Sequence, residues 1–403
     1  MIVEPKIRGF ICLTAHPEGC KLNVQSQIDF IRSKPTIQTE KKRVLIIGAS
    51  TGFGLASRIA CAYGFNASTI GIIFEREPET AKTATAGWYN TVAFENFANE
   101  SELYAKTING DAFSDQIRSQ TLDLIEKDFG QVDLVIYSLA SPRRTNPKTG
   151  IIHKSVLKPI GESFSSKTLD TQNGKISEIS LEQATSEEIS DTIQVMGGED
   201  WELWIDSLLK RNLLAKNATT ISYSYVGPEI TAKMYRNGTI GQAKNNLENS
   251  AKRISTKISS IGGKAFISVN KALVTQSSSA IPVMPLYITL LYKVMKESNL
   301  HEGCIEQIYR MLSQKNALTK SINCDEIGRI RMDDWELQSS IQSSIEDLWE
   351  IVDSENISSI GDLEGYRNEF LKLFGFGHSS IDYSIDVKID VNIPSIYNSD
   401  SQG

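Results

Sequence analysis

Histidine and cysteine are scarce in this chain, positive charge is in deficit, and long apolar runs are missing. Four histidines in 403 residues (His16, His153, His301, His378) show no metal-ligand spacing. Five cysteines (Cys12, Cys20, Cys61, Cys304, Cys324) form an odd, scattered set without a CxxC pair, and the first residues lack the apolar core of a signal peptide. Reduced thiols in a cytoplasmic protein are therefore expected. Cys12 and Cys20 would suit a bridge or half of a metal site, but nothing completes one, and ordinary packing without a metal is the simpler account. Lys and Arg number 42 against 49 Asp and Glu, a formal net charge of −7. That balance argues against nucleic acid or an anionic membrane as the main partner and leaves room for a local basic patch. The longest apolar stretch, Ala280 to Met295, is broken by Pro282 and Pro285 and runs into Lys293 and Lys296, too short to span a bilayer. It is expected to form a buried helix beside a cleft.

What is present is an ordinary globular composition, 40% hydrophobic and 23% charged, enough for one large core or two smaller ones. Apolar runs at Arg43 to Ile47, Ser68 to Phe74 and Leu134 to Leu139 alternate with helical patterns at Leu55 to Tyr63 and Ser114 to Phe129, the βαβ rhythm of a parallel sheet. Further runs at Thr219 to Val226 and Ala265 to Thr275 flank a helical pattern at Gln242 to Ser259. The expected fold is α/β: a doubly wound, Rossmann-like parallel sheet in one domain, with a core of 43–141 and 199–300. An N-terminal extension (1–42), an insertion (142–198) with a tight hairpin at Asn173-Gly174, a helical C-terminal part (301–393) and a frayed tail (394–403) complete it. In the C-terminal part Trp335, Ile341, Ile345, Leu348 and Ile351 recur at helical spacing.

Directly after the first run comes GASTGFG. A strand, a glycine-rich turn and a helix let backbone N–H groups face a pyrophosphate that a β-carbon would crowd. The spacing is Gly-x3-Gly-x-Gly rather than Gly-x-Gly-x2-Gly, and such a turn is as often a plain βα connection. Phe74 and Glu75 end the second run, where a carboxylate would accept adenosine ribose hydroxyls and repel a 2′-phosphate, pointing to NADH; Arg76 next door would neutralise that phosphate instead. In YSYVGPEITAKMYRNGTIGQAK, Tyr235 precedes Lys244 by nine positions. On one regular helix the two would lie on opposite faces. A turn at Asn237-Gly238 with Thr239 as N-cap would let them converge, as in carbonyl-polarising nicotinamide enzymes, with the ammonium easing release of the phenolic proton. Tyr223 and Tyr225 alternate on one strand face. From Pro142 to Gly161 there are five cations (Arg143, Arg144, Lys148, Lys154, Lys158) and no acid, a candidate attractor for an anionic substrate end. Ala280 to Leu291, after Ser277 to Ser279, is a candidate wall for an apolar chain.

GASTGFG, IIFE, NGDAF, YSLASP, HKSVLKP, MGGEDW, YSYVGPE, Tyr-x8-Lys, KALVT, HEGCIEQ and DDWE, in that order, resemble the FabV-type trans-2-enoyl thioester reductases, enlarged relatives of the short-chain dehydrogenases. The resemblance runs from CLTAHPEGC to about Gly377. It implies a monomeric, NADH-dependent reductase of the C2=C3 bond of trans-2-enoyl thioesters on acyl carrier protein or CoA, the last step of bacterial fatty acid elongation. It further implies that Gly48, Ala49, Ser50, Thr51, Gly52 and Phe53 hold the pyrophosphate, Phe74 and Glu75 the ribose, and Asp111 and Ala112 the adenine side. Leu139 and Ala140 would lie under the nicotinamide half, and Leu273, Val274 and Thr275 would close over it. Tyr235 would be the proton donor, Lys244 would bind cofactor, and Tyr225 would touch substrate. By residues alone, a ketoreductase-like carbonyl reductase or a non-catalytic NADH-binding regulator stays open.

Overall fold

The computed structural model describes residues 1–35, 40–315 and 322–396. Seven strands build the central sheet: β1 (Arg43–Ile47), β2 (Ser68–Ile73), β3 (Ala105–Asn109), β4 (Val132–Tyr137), β5 (Leu214–Ser224), β6 (Lys264–Val269) and β7 (Arg329–Arg331). They run in the order β7-β6-β5-β4-β1-β2-β3, every pair parallel. Chain direction across the sheet reverses between β1 and β4, so a crevice opens beyond their carboxyl ends.

Burial on both faces explains the near-continuous apolar strands. In β1, Val44 and Ile46 enter one core cluster and Leu45 and Ile47 the other. Among the described residues the α-helices in chain order are α1 (Pro17–Arg32), α2 (Gly52–Ile59), α3 (Ala86–Glu100), α4 (Asp115–Asp128), α5 (Ser186–Met196), α6 (Glu199–Lys210), α7 (Thr239–Lys257), α8 (Met284–Glu297), α9 (Cys304–Ser313), α10 (Ser339–Ile351), α11 (Ile357–Ile360) and α12 (Leu363–Lys372). Residues of α1, α2, α3, α8, α9 and α10 share the first cluster; those of α4, α6 and α7 share the second. No described helix is long and apolar enough to cross a membrane.

Several expected boundaries shift, each for a local reason. The strand expected over Ala265 to Thr275 ends at Val269, because its parallel partners Ser224 and Arg331 are reached there. The insertion hairpin pairs Phe164–Asp170 with Lys175–Leu181, and Asp170 opposes Lys175, leaving a four-residue turn rather than a two-residue one. Gly174 takes φ +78° in it. Trp335 lies before α10, stacked over Arg310 at 4.1 Å, and Ile351 is exposed, so only the middle of the apolar spacing faces the core. All five cysteines are free. Of the expected tail, 397–403 lie outside the described residues. Ser395 is held by the buried Glu95, and Ile396 bridges Thr107 on the sheet edge.

Candidate active site

Every position proposed for the cofactor except Lys244, which lies in α7, follows closely on the carboxyl end of a strand. Gly48 leaves β1 with φ +86°, and a β-carbon there would overlap the Ser138 carbonyl just past β4. Gly54 is crowded likewise by the Gly48 carbonyl. Gly52 differs: its φ is +52°, but the nearest atom to an added β-carbon is Thr275 Cγ2 at 3.9 Å. Thr51, the N-cap of α2, makes no side-chain bond to the helix, which leaves the first N–H groups open to an anionic oxygen. Across the turn, Ser50 Oγ donates to Glu75 Oε1 at 2.6 Å. Burial pushes the Glu75 carboxyl up, and the bonds from Ser50 and Thr85 pull it back. Phe74 beside it is 76% exposed, an aromatic face that suits a bound adenosine. These features fit a dinucleotide. Asp111 Oδ1 accepts from the Phe113 N–H at 2.9 Å, and the Ala112 carbonyl accepts from Trp204 Nε1 at 3.2 Å, so both shape the turn into α4. Leu139 is partly buried and Ala140 exposed, flanking the crevice after β4.

Tyr235 and Lys244 both lie near the carboxyl end of β5, although the helix between them does not start at the expected cap. Gly238 is the N-cap of α7; Thr239 is the first helical residue, and its hydroxyl donates to the Val156 carbonyl of the insertion at 2.5 Å. The Tyr235 carbonyl accepts from Gly238 and Gly241 N–H at 3.2 and 3.0 Å, folding the Tyr235 turn back onto α7. The Tyr235 ring stands edge-on to Tyr225 at 4.9 Å, while Lys244 Nζ lies 3.4 Å from the Tyr223 carbonyl. The two contacts thus fall on Tyr223 in β5 and on Tyr225, one residue past its end. Burial pushes the Tyr235 phenol up, with no offset from Lys244, contrary to the expected easing of its proton. Burial lowers Lys244 to about 8. Tyr235 is therefore a protonated hydrogen-bond donor at neutral pH rather than an easily ionised acid. Tyr223 is a packing residue: its hydroxyl shares a 2.5 Å bond with Ser57 and its ring meets Phe53.

Tyr225 leads to a residue that motif reading overlooked. Its hydroxyl donates to Glu336 Oε1 at 2.9 Å, Tyr287 donates to the same oxygen at 2.7 Å, and Glu336 Oε2 accepts the Ala272 N–H at 2.7 Å. Glu336 is fully buried, and burial pushes its carboxyl up against the pull of Lys271 and these donors. Most backbone N–H groups around Leu273, Val274 and Thr275 are likewise held by side chains: Lys271 by Gln307, Val274 by Tyr292, Thr275 by Ser278. Past β6 the chain has no strand partner, so side chains supply the acceptors and set the loop over the crevice. DDWE carried the signal, but Glu336 lies 111 residues from Tyr225.

Two other expectations are trimmed. Leu286 to Leu291 in α8 are fully buried core; only Ser279 to Pro282 and Pro285 line a groove of about 390 Å³, with Phe10, 168–172, Tyr366 and Phe370. Of the five insertion cations, Arg144 is buried on Glu199 at 2.8 Å and Lys158 pairs with Glu188 at 2.6 Å. Among the described residues no cluster suits a metal ion.

A Rossmann-type sheet with a glycine turn, a carboxylate just past β2 and a buried tyrosine and lysine near the end of β5 has the features of a nicotinamide-dependent oxidoreductase. Family models agree: the trans-2-enoyl-CoA reductase catalytic region matches 82–316, and the NAD(P)H binding domain of trans-2-enoyl-CoA reductase matches 2–80. The chain is 59% identical over 396 residues to a Flavobacterium johnsoniae enoyl-[acyl-carrier-protein] reductase [NADH], covering 98% of this chain and 100% of that one. A Coxiella burnetii protein of the same name is 55% identical over 398 residues, 98% of each chain. Among solved structures, the Treponema denticola trans-2-enoyl-CoA reductase in complex with NAD superposes with a TM-score of 0.92 at 48% identity, over 96% of this chain and 98% of that one. A Clostridium trans-2-enoyl-CoA reductase in complex with NADH gives 0.94 at 44%, over 98% and 100%. The chain belongs to the trans-2-enoyl-CoA reductase family.

A third model, described as an enoyl reductase FAD binding domain, matches 324–387. The residues there do not fit a flavin nucleotide. Their apolar side chains Ile330, Met332, Ile341 and Ile345 are spent in the core, and the groove between α8 and α10 presents Glu297 and Asp347, which would repel a pyrophosphate.

Proposed function

We propose that the protein reduces the C2=C3 double bond of trans-2-enoyl thioesters, using NADH. The observation that carries this reading is the commitment of the Tyr225 proton. A phenol has one hydrogen, and that of Tyr225 is given to Glu336. Tyr235 is then the phenol free to donate beside it. NADH supplies the hydride when bound, held by 48–53, Phe74, Glu75, Asp111, Ala112, Leu139, Ala140, Lys244 and 273–275. As C3 is reduced, charge grows on the thioester carbonyl oxygen, and the buried Tyr235 hydroxyl is the donor that stabilises it. Lys244 presents a cation to the cofactor from the second turn of α7. Tyr225, pinned by Glu336, walls the thioester, and C2 is protonated in a separate step. Glu75, bonded to Ser50, favours the free ribose diol of NADH over NADPH. A cytoplasmic location accords with five free thiols, and a monomeric state belongs to the same reading.

The test follows NADH oxidation with short and medium trans-2-enoyl-CoA, beside NADPH and beside Tyr235→Phe. Losing one preorganised donor costs about 10²- to 10³-fold in kcat, so Tyr235→Phe should fall by that factor with NADH binding unchanged. Turnover of keto thioesters in place of enoyl ones would overturn the assignment.

A further inference from the structure

The insertion begins where β4 ends, and its first hairpin has two unlike faces. Arg143–Thr145 pairs antiparallel with Ile152–Lys154, Arg143 opposite Lys154, Arg144 opposite His153, and Thr145 opposite Ile152. Arg144 and His153 point inward, to Glu199 and to Asp191 of α5. Arg143, Thr145, Ile152 and Lys154 share the outer face, and all four are exposed. The outer face therefore sets two cations side by side. Like charges directly opposite one another destabilise a ribbon, and the nearby carboxylates are spent elsewhere: Asp191 on His153, Glu188 on Lys158, Glu199 on Arg144. Lys148, exposed in the connecting turn, adds a third positive charge in a chain of net −7. Ile151 and Ile152, 55% and 59% exposed, lie among these cations.

The hairpin also stands at the mouth of the site. Its first strand starts three residues past Ala140, and Ser155 after its second strand bonds back to Ser141 and Pro142. The chain then reaches α7, where Val156 and Lys158 are tied to Thr239, four residues from Tyr235. A partner seated on the outer face would be held over the crevice.

Resting on the function proposed above, we infer that this outer face docks the protein moiety of an acidic carrier that brings the acyl thioester. Cations with two exposed isoleucines match an acidic, partly apolar protein surface; a nucleotide phosphate would call for cations and hydrogen-bond donors without the isoleucines. These side chains are exposed, so substitutions there are expected to keep the fold. Arg143→Glu/Lys154→Glu and, separately, Ile151→Ser/Ile152→Ser are compared with the parent enzyme on one trans-2-enoyl group carried by acyl carrier protein or by CoA, at low and moderate salt. Binding of fluorescently labelled holo-acyl carrier protein is read in parallel by anisotropy, which does not depend on turnover. The charge-reversed enzyme should show at least a tenfold rise in KM for the carrier-bound substrate at low salt, shrinking with salt, and matching loss of anisotropy. Its kcat and its KM for the CoA substrate should stay within twofold. Equal rises for both substrates would instead place the CoA phosphates on this face, and unchanged carrier binding would remove the docking role; either result overturns the inference. Inactivity of the parent enzyme on both substrates, with carrier binding intact and sensitive to charge reversal, would strike the reductase reading and not the docking face.

Discussion

Replacing Glu336 by glutamine keeps the shape of the side chain and removes its negative charge and its ability to accept on both oxygens. The carboxylate takes three hydrogen bonds, two on Oε1 from Tyr225 and Tyr287 and one on Oε2 from Ala272. A carboxamide must turn its NH₂ to one side. Facing Ala272, it sets two donors against each other across 2.7 Å; facing the tyrosines, it strips both hydroxyls of their acceptor. The gentler arrangement loses one charge-assisted bond, about 1.5–3 kcal/mol, and strands a buried donor, about 1–3 kcal/mol. Because these describe the same event in part, we expect a net loss near 3 kcal/mol. Lys271 adds to it: burial holds its ammonium down, and Glu336 is the largest counterweight. In urea, Glu336→Gln should lower the unfolding free energy by that amount, read as a lower midpoint at unchanged m. The kcat should fall as well, because Tyr225 and the 272–275 loop lose their common anchor. Tyr287→Phe is the control: it removes one donor from the same oxygen and leaves the Tyr225 and Ala272 bonds in place, costing about 1–2 kcal/mol of stability with kcat unaltered. A glutamine variant within about 0.5 kcal/mol of the parent, with full turnover, would refute this account of the network.

The pH dependence of cofactor binding should report Lys244. Burial lowers its folded value from 10.5 to about 8, so the charged form is penalised in the fold below pH 8, and that penalty disappears as pH rises towards 10.5. An anionic cofactor wants the charged form. NADH affinity, followed by fluorescence titration, should therefore weaken about tenfold per pH unit above 8, and Lys244→Arg should flatten the curve. The two left-handed glycines of the turn should separate in function. Gly48→Ala drives a β-carbon into the Ser138 backbone and should cost more than ~3 kcal/mol in thermal unfolding. Gly52→Ala meets nothing closer than 3.9 Å, so it should cost about 1 kcal/mol yet lose at least tenfold in NADH affinity, since the crowding there falls on the ligand.

Much of this was legible because it is local. β1 is found at the expected Arg43–Ile47, and α4 runs Asp115–Asp128 behind its Ser114 cap, inside the expected span. A strand buried on both faces has few choices of residue, and a capped helix announces its start. β3, α3 and β7 were not foreseen: Ala105–Asn109 and Arg329–Arg331 are short, mixed in polarity, and become strands only beside β2 and β6. At the site, Tyr235 and Lys244 were visible as a spacing, and their convergence was argued from Asn237-Gly238. The true cap, Gly238, differs because the Thr239 hydroxyl is drawn to Val156, a contact made 83 residues away. Glu336 could not be assigned from sequence for the same reason: its partners lie at 225, 272 and 287, and nothing local marks an acid that will be buried.

The loop over the crevice has a consequence for how the enzyme comes into being. A chain emerging residue by residue has β1 to β6 and the Tyr/Lys pair in hand once about two-thirds of it exists, yet the groups that shape 271–275 arrive afterwards. Ser278 and Tyr292 come first, then Gln307, and Glu336 last. The 271–275 loop is therefore completed only by the final third of the chain: until Glu336 is present, Tyr225, Tyr287 and the Ala272 N–H lack the acceptor that ties them together.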